Sequence, residues 1–280
     1  MTDFLDSMVR SSQHRLRRAE RREPLESLRS RALELPAPPA LRLHASGFDL
    51  IAEIKLRSPA AGRLAGRQDE GCDIAARRAI LYQQAGAAAV SVLTEPTRFG
   101  GHLAHLAAAA WACSIPVMRK DFLLDPYQVY EARAAGAGGV LAIMRILTDE
   151  AVRAILAAAA ETRLFVLLEA FDESDLERMR RLLEEPSPAD PVLLVGLNTR
   201  NLDDLSVDCG RLARLAPAFP NGFTRVAESG LSSKADIESV ARMGYQVALV
   251  GSALMKCDDP ASLIRTLLEA GRQPRIRACG

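Results

Sequence analysis

Short apolar runs recur along this chain, most of them ending on polar or charged residues, and alanine- and leucine-rich stretches with helical spacing separate them. The runs fall at 50–55, 89–93, 115–120, 139–144, 163–169, 192–198, 224–228 and 247–250. Strands this uniformly apolar, alternating with helices, predict βα units and a parallel sheet covered on both faces. Eight such units predict closure into a (β/α)8 TIM barrel; an open doubly wound sheet is the alternative.

The intervening stretches carry helix punctuation. Residues 73–85 read as a helix closed by Gly86, and 232–243 as one closed by Gly244. Asp125-Pro126 supplies an N-cap followed by a first-turn proline, and Gly136 closes that helix. Thr148-Asp149-Glu150 and Asp172-Glu173-Ser174 place acids where a helix dipole favours them.

Two segments break the rhythm. Residues 184–191 form a proline-rich loop expected at the amino-terminal face, away from any active site. Residues 1–46 precede the first strand and read as a helical extension, with the barrel at 47–272 and a tail at 273–280. Within the extension Phe4, Leu5, Met8 and Val9 precede a run of Arg15, Arg17, Arg18, Arg21 and Arg22, and Leu25, Leu28, Ala32 and Leu35 follow at helical spacing. Apolar faces of that kind need a surface to bury against. Interleaved Glu20, Glu23 and Glu26 offset the arginines and no stacking aromatics accompany them, so a solvated helix face is expected rather than a nucleic-acid site.

Composition narrows the class. The chain has 280 residues with a net charge of +1 and 49% hydrophobic content, enough for one large core and no reason to expect nucleic acid or a membrane as the main partner. No apolar run reaches the ~20 residues of a membrane span and the start has no signal-peptide layout, so a cytoplasmic protein is expected. Five cysteines with no C-x-x-C predict reduced thiols. His102 and His105 share a probable helix face but lack metal-ligand partners nearby in the sequence, so no metal site is expected.

The candidate chemistry lies at the strand ends, which a barrel gathers at one mouth. The first strand brings Glu53 and Lys55 and leads to Ser58; the second leads to Thr94-Glu95 and Phe99; the third brings Lys120 and Phe122. Glu169 ends the fifth, Asn198 and Arg200 the sixth, and Glu228 the seventh. One such charge could be a rim salt bridge; so many at the ends of otherwise apolar strands point to a site. Lysines and carboxylates in one cleft can shift each other's pKa and divide acid and base roles. Ser229-Gly230 and Gly251-Ser252, after the seventh and eighth strands, stand where barrels of this kind bind phosphate through backbone N–H groups.

These residues sit in longer strings: Ile51-Ala52-Glu53-Ile54-Lys55 with Ser58-Pro59, Ser91-Val92-Leu93-Thr94-Glu95 with Phe99-Gly100-Gly101, and Arg119-Lys120-Asp121-Phe122 with Asp125-Pro126-Tyr127-Gln128. Leu168-Glu169, Gly196-Leu197-Asn198-Thr199-Arg200-Asn201-Leu202, Ala227-Glu228-Ser229-Gly230 and Val250-Gly251-Ser252-Ala253-Leu254-Met255 follow. In this order and over nearly its whole length the chain resembles the indole-3-glycerol phosphate synthase family of tryptophan biosynthesis. The resemblance implies a carboxy-lyase that closes, decarboxylates and dehydrates 1-(2-carboxyphenylamino)-1-deoxyribulose 5-phosphate, with no metal or organic cofactor. It implies that Lys120 protonates the substrate carbonyl, that Lys55 places the substrate and serves the dehydration, and that Glu53 and Glu169 act as base and electrostatic partner. Glu228 and Asn198 join them as catalytic candidates, Asn198 and Arg200 match polar residues around the substrate, and Ser58 is a substrate contact. Phe99, Phe122, Leu141 and Leu202 match the apolar wall for its aromatic ring. Residues 1–46 match an extension that covers the mouth and excludes water.

A lysine acid near other cations would be expected to have a lowered pKa. Three features depart from the family pattern: Ala60 in place of a second serine after Ser58-Pro59, Phe171 where histidine is common, and the longer loop at 184–191. They leave room for a copy dedicated to a secondary metabolite. Two rivals remain open: another phosphate-binding barrel such as phosphoribosylanthranilate isomerase, which would be expected to use a cysteine and an aspartate, and a barrel kept as a non-enzymatic scaffold. A phosphorylated small molecule is the expected partner and a monomer or weak homo-oligomer the expected state.

Overall fold

Alternate residues of a strand point to opposite faces, so a closed barrel sorts each strand into an inward and an outward set. The structure, a computed structural model that describes residues 3–45, 47–64, 71–184, 191–201 and 205–273, shows that sorting. Its barrel strands, numbered in chain order, are β1 (Asp49–Ile54), β2 (Ala89–Leu93), β3 (Val117–Lys120), β4 (Gly139–Ile143), β5 (Phe165–Ala170), β6 (Leu193–Asn198), β7 (Thr224–Glu228) and β8 (Val247–Val250). Each pairs in parallel with the next, and β8 returns to β1 with Ile51 opposite Leu249 and Ala52 opposite Val250. The barrel is closed, which excludes the open doubly wound alternative.

Two cores result. Inward residues such as Ile51, Met118, Leu141, Phe165, Leu167, Leu194, Val226 and Val247 fill the interior. Outward residues such as Leu50, Ile54, Val92, Val140, Val166, Val195 and Val250 pack against the ring of helices. Among the described residues no helix is long and apolar enough to cross a membrane, and Cys72, Cys113, Cys209 and Cys257 are free thiols.

The helix ends follow the sequence signals. Helix 72–84 runs into Gly86 at φ 99°, and helix 126–134 starts on Asp125, whose carboxylate accepts the Tyr127 N–H at 2.8 Å, and runs into Gly136 at φ 91°. Small shifts have local causes. β3 starts at Val117 rather than at 115 because Pro116 has no N–H to give to a ladder. β5 starts at Phe165 because Arg163 turns the chain at φ 58°. The helix expected over 232–243 is Lys234–Arg242, because Ser233 and Asp236 close a capping box around its first turn.

Before the barrel come α1 (Asp3–Arg22) and α2 (Leu25–Glu34). α1 buries Leu5, Met8 and Ser12; α2 buries Leu28 and Ala32 and packs on helix 126–134. The arginine run is not uniformly solvated. Arg17, Arg18, Arg21 and Arg22 are exposed, as a solvated helix face requires, whereas the Arg15 side chain is only 24% exposed and ion-pairs with the buried Asp121. Residues 185–190 of the proline-rich loop expected at 184–191, Leu202, Cys279 and most of the expected tail lie outside the described residues.

Candidate active site

The strand register places the charged ends at one level. Glu53 lies opposite Ser91, Leu93 opposite Lys120, Ile143 opposite Glu169, and Asn198 opposite Glu228. Inward-pointing carboxylates therefore meet the two lysines at the top of the interior core. Lys120 Nζ donates to Glu169 Oε2 at 2.9 Å and to Glu228 Oε2 at 3.0 Å, and Lys55 Nζ pairs with Glu53 Oε1 at 2.7 Å. The carboxylate side chains are 1–3% exposed and both lysines 14%.

Burial opposes the charge on Lys120, but Glu169, Glu228 and Glu53 outweigh it and raise its pKa above the ordinary lysine value. This overturns the expectation of a lowered pKa: the groups facing this lysine are anions, not cations. Glu228 moves upward too. Burial and the repulsion of Glu169 push its carboxyl well above the ordinary range, against the pull of Lys120. Two lysines and three carboxylates carry a formal charge of −1, so a proton on Glu228 brings the cluster to zero. Oε1 of Glu228 is buried with no hydrogen-bond partner among the described residues.

The cluster forms the floor of a cavity of about 380 Å³, within the range of small-molecule sites. Ser58, Phe99, Phe122, Leu141, Asn198 and Arg200 line it together with the five charged residues. The Phe122 ring sits 6.4 Å from that of Phe99 and 6.3 Å from that of Phe4 on α1, giving an aromatic side. Asn198 Oδ1 accepts from the Arg200 N–H at 3.0 Å and from Ser229 Oγ at 2.8 Å, which ties the ends of β6 and β7 together.

Ser229, Gly230, Gly251 and Ser252 line the same cavity. Ser229 and Gly230 both have left-handed backbone, at φ 68° and 73°. Serine pays of order 1–3 kcal/mol for that conformation. Thr199 Oγ1 and Asn198 hold it by hydrogen bonds to the Glu228 and Ser229 carbonyls and the Ser229 hydroxyl. A side chain on Gly230 would meet Val207 Cγ1 at 2.6 Å, so glycine is required there for space as well as for φ.

Glu95, expected among the strand-end charges, does not line the cavity. It caps the short helix Pro96–Phe99, accepting the N–H groups of Thr97 and Arg98 at 2.9 and 2.7 Å, and so aims Phe99. Three residues not named as site candidates also line the cavity: Asp121, Phe171 as a wall with the Arg145 guanidinium 5.1 Å from its ring centre, and the exposed cation Lys256. Asp121 could have been noticed from its place between Lys120 and Phe122. His102 and His105 touch edge to face but stand outside this cavity, and among the described residues no three His, Cys, Asp or Glu side chains form a metal site.

The family model for indole-3-glycerol phosphate synthase matches residues 5–267. An indole-3-glycerol phosphate synthase of Parafrankia sp. is 44% identical over 92% of both chains, and one of Nocardioides sp. is 40% identical over 94% of this chain and 97% of its own. Among solved structures, 3-hexulose-6-phosphate synthase from Salmonella typhimurium aligns with a TM-score of 0.60 at 17% identity, over 80% of this chain and 98% of that one, a likeness of fold alone.

Proposed function

Because the chain belongs to the indole-3-glycerol phosphate synthase family, we propose that the cavity at its strand ends is the catalytic site and that Lys120 donates the proton for ring closure. The reaction converts 1-(2-carboxyphenylamino)-1-deoxyribulose 5-phosphate to indole-3-glycerol phosphate, CO2 and water. The observation that carries the proposal is the buried ammonium of Lys120 held between Glu169 and Glu228 at 2.9 and 3.0 Å.

A proton donor must begin protonated, and the surrounding carboxylates keep Lys120 in that form. The ring carbon bearing the carboxylate attacks the ketone carbon. As the ketone oxygen gains negative charge, it takes the Lys120 proton. The intermediate carries positive charge on the anilino nitrogen, which Glu53 and Glu169 stabilise in a site largely shielded from water. Loss of CO2 returns an electron pair to the ring. In the dehydration, Lys55 protonates the leaving hydroxyl and a carboxylate of the same cluster removes the carbon-bound proton.

Phe99, Phe122 and Leu141 hold the aromatic ring and Asn198 and Arg200 its polar edge, with the buried Ser58 as a further contact. Backbone N–H groups at Ser229-Gly230 and Gly251-Ser252 take the phosphate, which anchors the flexible sugar chain and turns binding into orientation. α1 closes one side through Phe4 and excludes water.

The test is Lys120→Ala, assayed by indole fluorescence. The expected loss in kcat is at least ~100-fold. A variant that keeps more than about a tenth of the rate, with ring closure still limiting, overturns the assignment.

A further inference from the structure

We infer that Arg15 and Asp121 are positioning residues for this reaction: their ion pair makes α1 part of the frame that sets Lys120 and Phe122. The inference rests on the role of Lys120 proposed above and extends it to groups outside the lysine–glutamate cluster.

Asp121 stands between the proton donor and the aromatic wall in sequence, and its side chain is fully buried. Its Oδ1 accepts from Arg15 Nη2 at 2.7 Å and from the Phe122 N–H at 2.8 Å. Its Oδ2 accepts from Arg15 Nη1 at 2.8 Å, Thr94 Oγ1 at 2.6 Å and Arg119 Nη2 at 3.3 Å. One carboxylate thus joins α1, the end of β2, β3 and the first peptide beyond β3. A second link runs alongside. Ser12 Oγ donates to the Phe122 carbonyl at 2.5 Å and accepts from Gln128 Nε2 at 2.9 Å. Ser12 and Arg15, three residues apart, share one face of α1. Both the N–H and the C=O of Phe122 are therefore bonded, one within the Asp121 hub and the other directly to α1.

Anchoring alone does not call for this arrangement. Leu5 and Met8 already bury α1, and a buried ion pair is in general no more stabilising than well-packed apolar residues in its place. What the paired guanidinium and carboxylate add is direction, because a bidentate pair fixes angles as well as distance. The segment so fixed begins one residue after Lys120 and carries the ring of Phe122. A misplacement of about 1 Å at such a point can cost up to ~100-fold in rate.

Arg15→Met tests this. It keeps an apolar stem, removes the charge, and leaves Asp121 with Arg119 and Thr94, so the barrel stays folded. With the full chain, kcat at saturating substrate should fall about ten-fold, and Arg15→Lys, which can make one of the two bonds, should recover part of it. The deciding measurement is the same substitution in a Lys120→Ala background, by single-turnover kinetics with excess enzyme. If Arg15 acts through Lys120, its effect there shrinks to less than about two-fold. An equal loss in both backgrounds, or a rise in KM with kcat unchanged, means that Arg15 does not act through Lys120 and overturns the inference. An unimpaired Lys120→Ala single variant overturns the assignment of Lys120 itself, and the inference with it.

Discussion

A β-carbon on Gly196 would stand 2.2 Å from Oε1 of Glu228, and 3.0 Å from Leu167 Cδ1. The glycine on β6 is the space that the buried carboxylate occupies. Gly251 stands in the same relation to Glu53, at 2.2 Å. Gly196→Ala should push Glu228 away from Lys120, lowering kcat by at least ~10-fold and destabilising the fold by about 1–3 kcal/mol, the usual range for overpacking. Steady-state kinetics and thermal melts of this one variant check both halves.

Glu228 should limit stability while serving activity. Its pKa is raised by burial and by Glu169, so the folded state binds the proton more tightly than the unfolded chain does. Such a group favours the folded state fully below the unfolded value of about 4.3, and that contribution is lost as pH rises through the folded value. Glu228→Gln retains the shape of the neutral form. Its melting temperature at neutral pH should exceed that of the native chain by ~2 °C or more, the gap should close near pH 4, and turnover should fall. A melting temperature at neutral pH equal to or below that of the native chain contradicts the sign argued here.

Glu95 is expected to act on binding through Phe99. Its carboxylate caps the helix Pro96–Phe99, and loss of such a cap costs ~1 kcal/mol. Glu95→Ala should raise KM several-fold through a loosened Phe99 and leave the pH dependence of kcat unaltered. A changed pH profile would mean that Glu95 takes part in the chemistry.

The phosphate subsite can be tested without kinetics. Crystals soaked in sulfate should place the anion against the backbone amides of Ser229-Gly230 and Gly251-Ser252. An ordered sulfate at the opposite end of the barrel, with these amides unoccupied, refutes that assignment.

The element pattern, the barrel and the residues gathered at its mouth were legible in the sequence for a local reason. Strand and helix periods, capping residues and strand-end charges are properties of short windows, and in a barrel every strand end reaches the same face. Glu53, Lys55, Lys120, Glu169 and Glu228 could therefore be named together without any coordinates. Tertiary structure decided what surrounds each of them. That Lys120 faces carboxylates rather than cations, that Glu95 caps a helix instead of reaching the cavity, and that Arg15 is an ion-pair partner of Asp121 all follow from contacts across strands and helices far apart in the chain. The spacing of Gly196 from Glu228 and of Gly251 from Glu53 is of the same kind. Barrel closure and register fix such distances, and a pKa or a steric limit depends on distances through space, which no window of sequence contains.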